Sequence, residues 1–350
     1  MGEKGGVPLK KTGVVVIAAG LFVFLLYLYF FVPFSGFVSD IQKANLFYYS
    51  LAFGSMLLSV AFYSLAWQRL LHVLFVKCSF LKAFQIVWIG SFVDLLVPAE
   101  SISGDVSKVY LMSKESGENA GKVVASVIAH RVLSMTITLG GLIISSVYFI
   151  VSHRPPVLVI EFVSLLGAGT LLTLALIFYF SRKRQATARV ATWIVGLLVR
   201  LSRGRWKFER LKQSAEKMLK AFHDGIDTLI AQKSRLVLPV SLSIVAWALD
   251  LLISVLVFQA LDALRSFSLI AIVYSISVAI QTIPLGIPGE VGVLDIVMAS
   301  LYTLLGVPIT IAAVATVLIR IITLWLRLLI GGATVQWLGI KGLKPQNTIT

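Results

Sequence analysis

Gly13 to Val32 is a run of twenty residues without a single charge. At 1.5 Å per residue it makes about 30 Å of helix, the thickness of a bilayer's hydrocarbon core. Similar runs recur near 46–66, 123–150, 157–180, 236–260 and 309–331. Lipid offers no water to satisfy backbone N–H and C=O groups, so each run is constrained to be helical. Composition agrees: 58% of residues are hydrophobic and 13% charged, against about a quarter charged in soluble domains. The predicted fold class is an all-α, polytopic helical membrane protein with about six full transmembrane helices, and residues 1–350 are expected to form a single membrane domain. The first run is longer than a signal-peptide core and no small-x-small cleavage pattern follows it, so it reads as a retained helix. Cys78 is the only cysteine, so no internal disulfide forms.

Two further apolar segments do not fit the simple scheme. Residues 83–97 are too short to cross, contain Asp94 and end at Pro98. Residues 268–305 are long enough, but "AIQTIPLGIPGEVGVLDIVM" interrupts them with Pro284, Pro288, Gly289 and Gly292, and with the acids Glu290 and Asp295. Prolines remove backbone donors and glycines permit turns that other residues resist. Both segments are therefore expected to be re-entrant or broken helices. Such backbone survives at membrane depth only where protein buries it or water wets it. The first break, 83–105, continues through Glu100, Gly104 and Asp105. A rival count makes 83–97 and 268–285 full crossings.

The charge distribution separates membrane from nucleic-acid partners. Residues 181–235 hold 14 of the 31 Lys and Arg but 4 of the 16 acids, so two thirds of the net charge of +15 lies in one connector. That is a positive-inside signature suited to anionic inner-leaflet lipids, and no nucleic-acid partner is expected. Phe208, Leu211, Ala215, Leu219, Phe222, Ile226 and Leu229 recur there at helical spacing. Trp193 to Leu201 is a second short apolar stretch. Both read as amphipathic helices at a cytoplasmic interface, connecting a first half (1–180) to a second (236–350). With this loop inside, the parity of spans puts both termini in the cytoplasm.

Charges within spans cost about 2.5–3.5 kcal/mol each on insertion scales, so each invites a functional reading. Arg131 and Arg320 are candidates for gripping an anionic headgroup, because a guanidinium suits phosphate oxygens, and His130, beside Arg131, is a candidate with them. The competing reading is that each pairs with a buried acid and fastens helices together. Arg327 is expected to snorkel toward the inner surface. Asp105, Glu290 and Asp295 join the candidate headgroup site; Asp105 and Asp295 also fit as helix caps. Pro98, Gly104, Pro284, Pro288, Gly289 and Gly292 are candidate helix-break or gating positions, and Asp250 a candidate proton relay. No residue is assigned a catalytic role. No metal-ligand spacing or nucleotide-binding motif occurs, so no metal and no cofactor are expected. Gly104 precedes Arg131 by 27 residues and Gly292 precedes Arg320 by 28, which suggests a distant internal repeat.

These motifs carry a family resemblance. The chain resembles the transmembrane region of lysylphosphatidylglycerol synthases, a flippase-like family. Its Pro-Gly-Gly-x-Gly-x-x-Glu pattern is met by Pro288, Gly289, Gly292 and Asp295, with Asp for Glu and Glu290 in place of a glycine. Pro98, Gly104, Asp105 and Lys108 fit its proline–glycine–acid turn loosely. Its Glu-Arg pair stands here as His130-Arg131, with Ser134 where a further acid is usual, and Arg320 with Gly331 fits its last helix. The resemblance implies translocation of a polar or anionic phospholipid, aminoacylated ones included, in a prokaryotic inner membrane. The chain stops at Thr350 without the fused soluble domain, so lipid synthesis is not expected. Membrane phospholipids are the expected partners, and a homo-oligomer is left open. Two alternatives stay open: a membrane transferase or accessory protein of lipid-linked sugar or aminoacyl-lipid metabolism, and a small-solute transporter.

Overall fold

The computed structural model describes residues 34–97, 102–152, 157–201, 208–281 and 286–342, together with 22, 26 and 29. Pro98, Glu100 and Pro284 lie outside the described residues, as does the run 13–32 apart from residues 22, 26 and 29. All regular structure among the described residues is helical. Five helices are long and apolar enough to cross a membrane: Leu46–Val73, Ala120–Val151, Val157–Arg182, Lys233–Ala260 and Ile309–Leu338. They coincide with five of the six expected spans. The protein is a polytopic helical membrane protein.

The elements follow from local signals. Helix α1 is Phe34–Lys43. Helix α2, Leu46–Val73, starts where the Asn45 side chain accepts from the Phe47 N–H at 2.9 Å. Helix α3, Phe80–Leu96, is capped by Ser79 and ends at Val97, whose extended backbone (φ −97°, ψ 123°) is what a residue before proline adopts. Helix α4, Ile102–Ser116, follows the first break. Then come α5 (Ala120–Ser152), α6 (Val157–Arg182), α7 (Arg184–Leu201) and α8 (Phe208–Ala231). The second half holds α9 (Val237–Ala260), α10 (Phe267–Ile280), a tight turn at Pro288–Glu290, α11 (Val293–Leu304) and α12 (Ile309–Arg320). Helix α12 runs through a wide π turn, Ile321–Leu326, into α13 (Arg327–Gly342). Helix α10 has 14 residues and α11 has 12, about 21 and 18 Å, so neither reaches across hydrocarbon alone.

Helices α2 and α9 form the most extensive seam. Ser55 donates to the Leu249 carbonyl at 2.7 Å and Ser59 to the Ala246 carbonyl at 3.0 Å. Between membrane helices the hydrophobic effect gives little drive, so close packing and such hydroxyl bonds hold the seam. Trp67 joins α2 to α5 through a 3.1 Å bond to Ser126. Helix α13 lies on α3, where Gly331 and Gly332 meet Trp88 and Phe92. Helix α6 is the outlier, with nearly all its surface turned outward.

In the basic connector, α7 and α8 form as the helical spacing suggests, and the apolar stripe of α8 turns toward the bundle. Phe222, Ile226 and Leu229 are buried, and Gly225 sits against Ala125 of α5. The physical reason is that α5 begins with small residues, Gly121 and Ala125, which let α8 approach closely. Helix α7 keeps Trp193, Ile194 and Leu197 exposed. Arg184 fastens the two helices, bonding Asp227 at 2.8 Å and Asp224 at 3.1 Å. The Asp227 bond, foremost, raises the pKa of Arg184 above its ordinary value.

Candidate functional site

The first break is organised by acids at the start of α4. A helix N-terminus presents backbone N–H groups with no intrahelical partner. Asp94, near the end of α3, supplies the missing acceptor: its Oδ1 takes the Gly104 N–H at 2.6 Å and the Ser103 hydroxyl at 2.8 Å. The approach needs glycine, because a Cβ at Gly104 would collide with the Asp94 carboxylate and the Gly90 carbonyl. Asp105 is then released from the capping expected of it and gathers two cations. Its Oδ1 accepts from Lys108 Nζ at 3.1 Å and its Oδ2 from Arg131 at 2.8 Å. The Asp105 and Arg131 side chains remain 22% and 24% exposed, so the pair is only partly covered. Behind it, Lys108 Nζ stands 5.4 Å from the centre of the Tyr63 ring, and that ring packs tilted against His130, with centroids 4.0 Å apart. His130 is buried and belongs to this backing layer.

The second break repeats the grammar and closes it off. Gly289 (φ 61°) and Gly292 (φ 88°) take left-handed conformations that glycine adopts without a Cβ penalty. Glu290 also has a positive φ, 48°, and is buried. At the start of α11 the Asp295 carboxylate reaches back to the Gly292 N–H at 2.8 Å, half of a capping box, since Gly292 has no side chain to complete it. The other Asp295 oxygen accepts from Arg320 Nε at 2.9 Å, and Arg320 also donates to the Gly289 carbonyl. This pair is sealed: its side chains are only 4% and 7% exposed.

The two acid–arginine pairs match in spacing, 26 residues for Asp105–Arg131 and 25 for Asp295–Arg320. They differ in access. The breaks also meet. The Pro288–Glu290 turn packs on α3, where a Cβ at Gly289 would lie 3.7 Å from the Leu95 carbonyl, next to Asp94. Leu324 of the π turn presses on the same glycine. The end of α3 thus touches both interruptions.

Asp250 lies apart, on α9. It accepts from Arg327 at 2.6 Å, so Arg327 does not snorkel to the surface but pairs within the bundle. The π turn separates Arg320 from Arg327 and sends each to its own acid. Lys108 and Asp94, which the sequence marks only as members of the first broken segment and its motif, take part directly. The i,i+3 spacing of Asp105 and Lys108 was a usable signal for the first; for Asp94 the only signal was its depth in an apolar segment. Among the described residues, no group of three or more His, Cys, Asp or Glu side chains could hold a metal ion.

Comparison with known proteins agrees with the motifs. A UPF0104 membrane protein of Pyrococcus horikoshii is 24% identical over 328 residues, covering 93% of this chain and 97% of the relative. One from Methanothermobacter thermautotrophicus is 26% identical over 339 residues, covering 95% and 97%. One from Methanocaldococcus jannaschii is 22% identical, covering 93% and 94%. The family model for the lysylphosphatidylglycerol synthase TM region matches residues 16–331, from the first apolar run to the glycines of α13. The chain belongs to the lysylphosphatidylglycerol synthase TM region family.

Proposed function

We infer that the protein carries the headgroup of a polar or anionic phospholipid between leaflets. The observation that carries this reading is the Asp105–Lys108–Arg131 cluster at a break in the helical scaffold: two cations sharing one carboxylate, with Asp105 and Arg131 partly exposed and Lys108 buried behind them. A phosphodiester cannot cross hydrocarbon unaided, because an unpaired charge is costly there. At this cluster it can exchange for Asp105 as the counter-ion of Arg131. One anion replaces another, and the guanidinium keeps a charge-assisted partner throughout. Asp105, in the first turn of α4, is steadied by the positive end of the helix while displaced. Glu290, Asp295 and Arg320 support the scaffold of the second break, and Asp250 with Arg327 joins α9 to α13. The exposed apolar and basic groups of α7 suit anionic lipid at the membrane surface.

The test is reconstitution into liposomes with fluorescent phosphatidylglycerol and phosphatidylethanolamine, following transbilayer movement. The intact protein accelerates at least one of them over protein-free vesicles. Arg131→Ala slows it by roughly tenfold or more, since charge-assisted hydrogen bonds contribute about 1.5–3 kcal/mol. Rates equal to protein-free vesicles for both lipids would end this reading.

A further inference from the structure

An apolar groove of about 380 Å³ runs between α5 and α6. It is lined by Leu139, Leu142 and Phe149 of α5, Val163 and Gly167 of α6, and Ile272 of α10. Its rim is open, with Ile143 52% and Val147 58% exposed. Both walls are membrane-spanning helices, so what bathes the opening is hydrocarbon. The groove follows α5 from Leu139 to Ile150, a rise of about 17 Å, close to the roughly 15 Å of one leaflet's hydrocarbon. Its inner edge lies on the α5 face of Arg131: Leu142 and Phe149 follow Arg131 by eleven and eighteen residues, about three and five turns at 3.6 residues each.

We propose that this groove is an acyl-chain site, holding one chain of the phospholipid whose headgroup lies at Asp105, Lys108 and Arg131; the headgroup's position rests on the translocation reading, the groove's occupancy does not. Seating one chain beside α5 orients the lipid along the helix that carries Arg131. A chain held there loses freedom, which the apolar area it buries offsets. Gly167 lines the groove, and no atom lies within 4 Å of where its Cβ would be, so a side chain there starts into open space.

Photolabelling tests this. The protein is reconstituted in phosphatidylglycerol vesicles containing phosphatidylglycerol with a diazirine on one acyl chain, irradiated, and mapped by peptide mass spectrometry. Residues 139–150 and 163–171 are expected to label several-fold more than the outward residues Leu172 and Leu176 of the same helix. Gly167→Phe is expected to abolish that excess, leaving the outward labelling and the melting temperature unchanged. Labelling no greater in the groove than on the outer face, or an excess that survives Gly167→Phe in folded protein, would overturn the proposal. Groove labelling without transbilayer movement would defeat the translocation reading and leave the groove standing; movement without groove labelling would do the reverse.

Discussion

Arg131 and Arg320 share a residue type and nearly the same spacing from an acid, but they answer to different surroundings. Arg320 and Asp295 are sealed, so losing one partner leaves the other as an uncompensated buried charge. Arg320→Ala is expected to destabilise the protein by about 3–5 kcal/mol, read as a large fall in melting temperature in detergent. Arg320→Ala with Asp295→Ala together should cost much less than the sum of the two, because neither charge is then stranded. Cys78, between α2 and α3, gives a second residue-level test. Burial pushes its thiol up to about 11, and only the thiolate reacts. Alkylation of the native protein at pH 8 should therefore be far slower than in denaturant, and should climb steadily as pH rises toward 11. The deep arginines were legible in the sequence because a charge in an apolar run is conspicuous. Their partners were not, since Asp105 and Asp295 lie a whole turn and helix upstream and spacing alone does not say which charges meet. Lys108 is legible in sequence only as a neighbour of Asp105 in the first motif, and the fold alone brings it under Tyr63.

At the scale of elements, helix breaks are predictable where their purpose is not. Pro288, Gly289 and Gly292 announce a turn, and the turn forms. That it would press against Leu95, beside the Asp94 that caps α4, depends on contacts nearly 200 residues apart. Gly104→Ala should cost about 1–3 kcal/mol, because the new methyl meets a carboxylate and a carbonyl that hold α4 in place. Helix α8 shows the opposite limit. Its periodic stripe was plain, yet the same stripe fits lipid or protein, and only the small residues of α5 decide for protein. Gly121→Leu should therefore open the α5–α8 seam, where the Met218 carbonyl and Ala221 crowd the glycine. Hydrogen exchange should then quicken around Phe222 and Ile226 while the α2–α9 seam stays protected.

At the scale of the whole molecule, five spans, two short broken segments and a basic connector were readable because a bilayer imposes length and polarity so strictly. The pairing of α2 with α9 and the meeting of both breaks at the end of α3 were not, since apolar helices carry little information about which neighbour they choose. The two similar acid–arginine pairs differ in access, one partly exposed and one sealed; on the proposed function the first would handle lipid and the second would hold the scaffold. The most direct measurement compares Arg131→Gln and Arg320→Gln side by side, each for melting temperature and for transbilayer rate per folded molecule in liposomes. Arg131→Gln should lose rate with little change in melting temperature, while Arg320→Gln should melt early and its folded fraction should keep its rate. Unchanged transport in Arg131→Gln, or lost transport in folded Arg320→Gln, would contradict it.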